Sequence, residues 1–372
     1  MRTRTTTAAV LHRVGEDMSI EELDVAPPQG REVLLSFRYA GLCRSDLHVT
    51  DGTIVGRLPL VLGHEGSAVV DAVGPLVSRV EPGDHVVCSF IPSCGQCRWC
   101  ASGRQVLCDT GAGTMRGHLP GESWPLSGRT GPVGAMCQLG TFSQLGVVHE
   151  NSVVRIDASI PLDVAALAGC GVPTGWGSAV NAAAVRPGEV VVVLGAGGIG
   201  MNAVQGARAA GAREVIVVEP VEFKRDASHA FGASTAVSDA AAAREIVLRL
   251  TGGAGADKVI VATSVVTPEI SAAAVDLCSK GGTVVITAMA SFDEPALVLP
   301  TAMLTMLSKT IRGTMYGDCS PSRDIPALLA LYQEKKLLLE ELITRRYRLE
   351  QVNDGYQDLE DGALLRGLVE IA

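Results

Sequence analysis

The sequence predicts a two-domain chain of α/β plus β class, with a β-rich first domain followed by a doubly wound parallel sheet. Three observations predict this. Residues 8 to about 90 carry short apolar runs such as Glu32-Val-Leu-Leu-Ser-Phe37, separated by turns at Pro27-Pro28 and Glu81-Pro-Gly-Asp84. No long helical period starts before Pro161. From about residue 173 apolar runs and helical stretches alternate, the pattern of strands joined by crossover helices. A length of 372 residues is enough for two sizeable cores.

Composition narrows the function classes. Hydrophobic residues make up 47% of the chain, and 31 basic against 40 acidic residues give a net charge of −9. That balance disfavours nucleic acid or an anionic membrane as partner. Apolar stretches are interrupted well before the ~18 residues of a membrane span. Met1-Arg-Thr-Arg-Thr-Thr-Thr7 has no apolar segment behind it, so a cytoplasmic location is expected. Ten cysteines in a chain of this length read as metal ligands rather than a disulfide framework.

The second domain is organised around Val190 to Leu194, four valines and a leucine too β-branched for a helix and too apolar for an exposed strand. The run enters Gly195-Ala196-Gly197-Gly198-Ile199-Gly200, where a tight turn lets the backbone approach a pyrophosphate. A helix is expected over Met201–Gly211, its N-terminus towards the phosphates. Val215–Glu219 reads as the next strand, ending in an acid about twenty residues on that suits ribose hydroxyls. Such a carboxylate favours NAD over NADP, with Lys224 and Arg225 close behind to soften the preference. Beyond residue 316 a helix is expected over Pro326–Lys336, a short segment over Leu359–Arg366 and a strand over Leu368–Ile371, a tail that returns to the first domain. Ala240–Ala243 reads as helix.

Three constellations carry chemistry. Cys94, Cys97 and Cys100 are separated by two residues each and Cys108 follows after seven more, a spacing for a closed four-thiolate zinc of structural type. Cys43, His64 beside Glu65, and Cys170 are dispersed; their spacing alone does not join them, although Cys170 lies 25 residues before Gly195. Arg44, Ser45, Asp46 and His48 form a polar group after Cys43. Ser45 offers a hydroxyl, His48 an imidazole that can pass a proton to solvent, and Asp46 can orient an imidazole. The alternative for this third group is a polar loop with a helix N-cap at Ser45.

In order along the chain stand Gly41-Leu-Cys-Arg-Ser-Asp-Leu-His48, Gly63-His-Glu-Gly66, the four-cysteine cluster, Gly169-Cys-Gly-Val-Pro-Thr-Gly175 and the glycine turn 195–200. With these five motifs the chain resembles the zinc-containing medium-chain alcohol dehydrogenases from about residue 8 onward. The resemblance implies a GroES-like β-rich catalytic domain over 1–172, with a structural-zinc lobe at about 88–112. A Rossmann coenzyme domain follows over 173–315, and 316–372 return to the catalytic domain. It implies two zinc ions per subunit: Cys43, His64 and Cys170 would hold the catalytic one, a ligand set for which this family is itself the type example, and Cys94, Cys97, Cys100 and Cys108 the structural one. Glu65 would be an acid near the metal, Asp46 would bond His64, and Ser45 and His48 would relay a proton through a cofactor ribose hydroxyl. Arg44 and Arg366 would clamp the pyrophosphate of NAD, joined by Thr174, the glycine turn, Glu219 and Lys224. Phe90, Trp176, Met136, Cys137, Met289 and Met315 are substrate-pocket walls by family position, and core residues on a plainer reading.

The reaction implied is reversible oxidation of a primary or simple secondary alcohol to an aldehyde or ketone, with hydride passing to NAD. The stretches Cys88–Gly95, Val172–Asn181 and Pro220–Arg225 look like the nicotinoprotein-type bacterial subgroup, which retains NAD, works with an artificial acceptor and includes mycofactocin-associated members. A small-molecule alcohol, an external redox carrier and a second copy of the chain are the expected partners. The dimer contact is expected through a strand at Val284–Thr287 or Thr310–Thr314. Two rivals stand beside this reading. One is a formaldehyde dehydrogenase acting on a thiol adduct, weakened by the apolar Ile54 where glutathione-using relatives carry an acid. The other is a metal-free relative that only binds.

Overall fold

The computed structural model of the chain describes residues 2–289, 295–297, 299 and 301–372. It divides into two compact units: Met1–Cys170 together with Ser320–Ala372, and Gly171–Cys319. The breaks after Cys170 and Cys319 compare with expected ones after 172 and 315.

The first unit is built on mostly antiparallel strands, with parallel pairs between Leu60–Val61 and Gly131–Ala135 and between Ile343–Arg348 and Arg366–Glu370. Five of them, Arg4–Leu11, Ser19–Val25, Leu126–Gly128, Gly131–Ala135 and Leu60–Val61, close into a small barrel. A seven-stranded sheet centres on Glu32–Gly41, a ten-residue strand whose side chains are mostly buried. This strand pairs with Gly66–Val73, with Leu145–His149 and, through Val369 opposite Ala40, with Arg366–Glu370. The tail therefore does return, and a distant segment completes the sheet. Phe37, Leu62, Phe142 and Val148 are fully buried in the shared core. Burying such a side chain contributes about 1.5–3 kcal/mol, so the tail strand is held by packing as well as by its ladder.

The second unit is a six-stranded, wholly parallel sheet. Its strands run in the order Thr235–Val237, Glu214–Val218, Val190–Leu194, Ala256–Val261, Cys278–Ile286, Thr310–Gly313. Chain order reverses on either side of Val190–Leu194, whose five residues are all buried. The crevice at the carboxyl end of such a strand is where dinucleotides bind.

Several boundaries differ from expectation. The first crossover helix spans Gly198–Ala209, three residues earlier than predicted, because the last glycines of the turn are already helical. The cause is close packing: a Cβ on Gly200 would stand 1.9 Å from the carbonyl oxygen of Gly195. The late helix runs Pro321–Gln333 with Pro321 in its first turn, so Pro326 lies inside it rather than opening it. Helix Val352–Glu360 lies ahead of the short segment expected over Leu359–Arg366 and overlaps only its first two residues. Val284 and Val285 sit in a strand bonded on both sides, so of the two candidate dimer strands only Thr310–Gly313 is an edge.

Candidate active site

Strand Glu32–Gly41 ends directly before the helix Arg44–Thr50, and Cys43 is that helix's N-cap residue. The N-cap is thus not Ser45, whose hydroxyl is left for other partners. This one turn fixes Cys43, Arg44, Ser45, Asp46 and His48 relative to the sheet. Asp46 and His48 are buried, as are His64, Glu65 and Cys170.

His64 stands on the loop between Leu60–Val61 and Gly66–Val73. Gly63 before it has φ +89°, and a Cβ there would meet the Thr141 hydroxyl at 2.4 Å. The turn aims the Gly63 amide at Asp46 Oδ1 (2.9 Å), to which His64 Nδ1 also donates (3.2 Å). With Nδ1 so engaged, Nε2 is the nitrogen left to bind. Cys170 follows the helix Leu162–Leu167. The ligand atoms of Cys43, His64 and Cys170, 127 residues apart in sequence at the extremes, all lie within 4.8 Å of one another.

The electrostatics favour anionic sulfur. The Cys43 thiol is held well below its usual range by the Cys170 thiol that donates to it and by His64, against the opposing effect of burial. The same contact and burial push Cys170 up. Burial alone would lower His64, but Asp46 and Cys43 raise it. Glu65 is raised chiefly by burial, and it pairs with Arg366, also buried. Arg366 thus spends its Nη2 on a carboxylate of its own unit. Ser45 Oγ lies 3.8 Å from Cys43 Sγ. Arg44 Nε is buried without a hydrogen-bond partner.

Of the expected pocket walls in this unit, Phe90 stands edge-on to His64 with ring centroids 5.5 Å apart. Met136 and Cys137 are buried, Cys137 with φ +54° and its thiol pushed up to about 11 by burial. Trp176, Met289 and Met315 belong to the second unit; Met289 bridges to Val265, and Met315 is half exposed.

The four-cysteine cluster forms a separate lobe. Sγ atoms of Cys94, Cys97, Cys100 and Cys108 lie within 4.8 Å of one another, and none is in a disulfide. The Gln96 and Cys97 amides donate to Cys94 Sγ at 3.4 and 3.3 Å, which brings that thiol down to about 6. Burial sends Cys100 up to about 12.

In the second unit the glycine turn closes on Glu219, which follows the strand Glu214–Val218. The Ala196 amide donates to Glu219 Oε2 at 2.8 Å and the Val221 amide to Oε1 at 3.0 Å. Lys224 is buried, which lowers its pKa despite the nearby Glu219. Thr174 is buried in the helix Gly171–Gly177. Arg225 donates to the carbonyls of Glu219 and Pro220.

Two residues were not legible as part of the site. Tyr356 buries its hydroxyl, and after burial its nearest influences are Asp46 and Cys43. Asp51 sits 3.7 Å from His48 Nδ1. Tyr356 lies some 300 residues from Asp46 in sequence, with no local motif to flag it; Asp51 reads as an ordinary turn residue before a glycine.

A family model described as "Alcohol dehydrogenase GroES-like domain" matches residues 29–158, and one described as "Zinc-binding dehydrogenase" matches 198–334. The chain is 48% identical to an NDMA-dependent alcohol dehydrogenase of Amycolatopsis methanolica, covering 98% of each chain. It is 45% identical to alcohol dehydrogenase B of Mycobacterium tuberculosis, again over 98% of each. Benzyl alcohol dehydrogenase from Acinetobacter calcoaceticus superposes with a TM-score of 0.91 at 30% identity, over 99% of this chain and 100% of that one.

Proposed function

We propose a reaction on one premise: the chain belongs to the zinc-dependent medium-chain alcohol dehydrogenase family, near its NDMA-dependent type. It oxidises an alcohol to the carbonyl compound, with zinc and a nicotinamide cofactor as the family's equipment. The observation that carries the site assignment is the convergence of Cys43, His64 and Cys170. Two thiols and an imidazole with its far nitrogen pinned suit a tetrahedral zinc with one open position. Metal–sulfur bonds of ~2.3 Å imply ligand separations of roughly 3.8 Å, within the observed limit. The four-thiol lobe offers a closed set, suited to a structural ion.

When bound, zinc supplies Lewis acidity at the alcohol oxygen and NAD supplies the hydride acceptor. The chain's residues do the rest. Asp46 holds the His64 ring in its tautomer. Ser45 takes the hydroxyl proton and His48 passes it on. Phe90 presents its ring against His64 and bounds an apolar face with Met136 and Cys137, which supports alcohols larger than ethanol, aromatic ones included. Glu219 accepts from the adenosine ribose, and the helix N-terminus at Gly198 supplies phosphate donors. Glu65, with Arg366 bonded to it, keeps an acid behind the metal ligands.

The test is a set of measurements on one preparation: zinc per subunit, turnover on alcohols of increasing size, and the Cys43→Ser variant. We expect two zinc ions, and a variant that folds normally without turnover. A zinc-free wild-type protein, or a fully active variant, would overturn the assignment.

The NDMA-dependent relative supports a second reading, that NAD stays bound through turnover and an external carrier reoxidises it in place. Denaturing protein purified without added NAD should then release stoichiometric nicotinamide; an empty supernatant with full activity on free NAD refutes retention. Among the described residues Thr310–Gly313 is an edge strand, which supports pairing with a second copy, to be seen as a two-subunit mass in light scattering. None of the ten cysteines is in a disulfide, which supports a reducing, cytoplasmic setting. Among the described residues no helix is long and apolar enough to cross a membrane.

A further inference from the structure

A proton relay must end in water, and His48 does not reach it. The residue is 4% exposed and its Nδ1 is buried with no hydrogen-bond partner. One turn further along the same helix, Asp51 is the C-cap residue, with a side chain 49% exposed. Its carboxylate does not swing freely. The Thr53 amide donates to Oδ1 at 2.8 Å, which leaves Oδ2 turned to His48 Nδ1 at 3.7 Å. A buried imidazole nitrogen without a partner thus faces an oxygen of a half-exposed carboxylate, across a gap that a small side-chain rotation closes.

We propose that Asp51 is the outlet of the proton relay, carrying the proton from His48 Nδ1 to solvent. The proposal rests on the relay reading of Ser45 and His48 above. The step balances without a co-reactant. As Nε2 gains a proton from the serine side, the Nδ1–H bond breaks and an Oδ2–H bond forms, returning the imidazole to neutrality. The Oδ2–H bond then breaks to water and the carboxylate is restored. In carbonyl reduction the same path runs inward. The Asp51 carboxyl sits below its usual range: burial would raise it, but the Thr53 hydroxyl and amide, and then the imidazole, outweigh burial. It is an anion at neutral pH, ready to accept, and it releases a proton to water rapidly.

The experiment follows hydride transfer in a single turnover of the zinc- and NAD-loaded enzyme, by nicotinamide absorbance, at low and at high concentrations of a small diffusible buffer. Asp51→Asn keeps the shape and the Thr53 contact but cannot carry the proton. It should slow the step about tenfold in dilute buffer, less than the ~10²–10⁴ expected for a group exchanging a proton with substrate itself. Concentrated buffer should restore most of the rate, and Asp51→Glu should retain it. His48→Gln serves as the control for the underlying relay. Loss in His48→Gln with an unchanged Asp51→Asn overturns the outlet alone. No loss in either overturns the relay and the outlet with it. A loss in Asp51→Asn that buffer does not rescue marks a structural role and also overturns the proposal.

Discussion

Glu219 uses both carboxylate oxygens on backbone amides, one from the glycine turn and one from Val221. The acid therefore braces the glycine turn, besides the ribose contact proposed for it. Two effects should follow from Glu219→Ala. The preference for NAD over NADP should narrow about tenfold, since one lost charge-assisted hydrogen bond is about 1.5–3 kcal/mol. Thermal stability should also fall by about 1–3 kcal/mol, because the Ala196 amide is left buried without its acceptor. Cofactor titration and a melting curve check the two separately. The acid itself was readable in the sequence, because strand, turn, helix and strand put it at a fixed distance from the first glycine. The role of Arg225 was not. Its guanidinium caps the carbonyls of Glu219 and Pro220 through Nη1, a structural contact beside the charge the sequence offered. Such a contact depends on rotamer and carries no periodic signal. Asp46, by contrast, was legible as an acid able to orient an imidazole, but nothing local joins a residue on the helix Arg44–Thr50 to a loop histidine 18 residues away.

Elements join the turn chemistry to the packing. The helix Gly198–Ala209 lies so near its strand that residue 200 has no room for a side chain. Gly200→Ala should cost about 1–3 kcal/mol of stability, the typical penalty for overpacking, because the obstructing atom is a backbone oxygen that no rotamer change relieves. Urea unfolding should show a lower midpoint at unchanged slope. A Gly200→Ala protein as stable as the parent would mean the turn is looser than described. The four-cysteine lobe behaves differently. It has few large apolar side chains, and Trp99 is flanked by Arg98 and Arg104 at 4.3 and 5.3 Å from its ring. Its order should depend on metal. Cys97→Ser should lower the melting temperature and the zinc content by one ion per subunit, and a chelator should reproduce the effect in the parent protein. Alternation of apolar residues made the strands legible, and cysteine spacing the lobe. Helix starts were read late or missed, at Gly198, Pro321 and Val352, since glycine and proline in a first turn read locally as loop.

Across the whole chain, stability depends on ties between distant segments. Glu150, 1% exposed, accepts from the Ser78 amide at 2.9 Å and the Arg79 amide at 3.3 Å, and pairs with Arg31. Burial would raise its carboxyl, but the Ser78 amide, the Arg31 side chain and the Arg79 amide outweigh it and hold it low. A folded-state pKa below the unfolded value adds stability above the unfolded value of about 4.3, and that stability is lost as pH falls through the folded one. Glu150→Gln should therefore destabilise at neutral pH by about 1–3 kcal/mol, and the difference from the parent should shrink steadily in acid. Arg31 is more than half exposed, so the amides account for most of the effect. The division into two domains was visible in the change of periodicity near residue 173, and the return of the tail was legible as a late strand. Its place beside Glu32–Gly41 was not, because a strand's register partner is not written in its own alternation. That placement bears on how the protein is made. The ribosome delivers residues in order, at roughly 5–20 per second. Gly171–Cys319 is one continuous stretch and can close as soon as it emerges. The sheet begun by residue 32 must wait for Arg366–Glu370, about 200 residues after Cys170 and so about 10–40 s later. Through that interval Tyr39, Ala40 and Gly41 present an open strand edge beside Cys43, and the earliest-made part of the enzyme is the last to be finished.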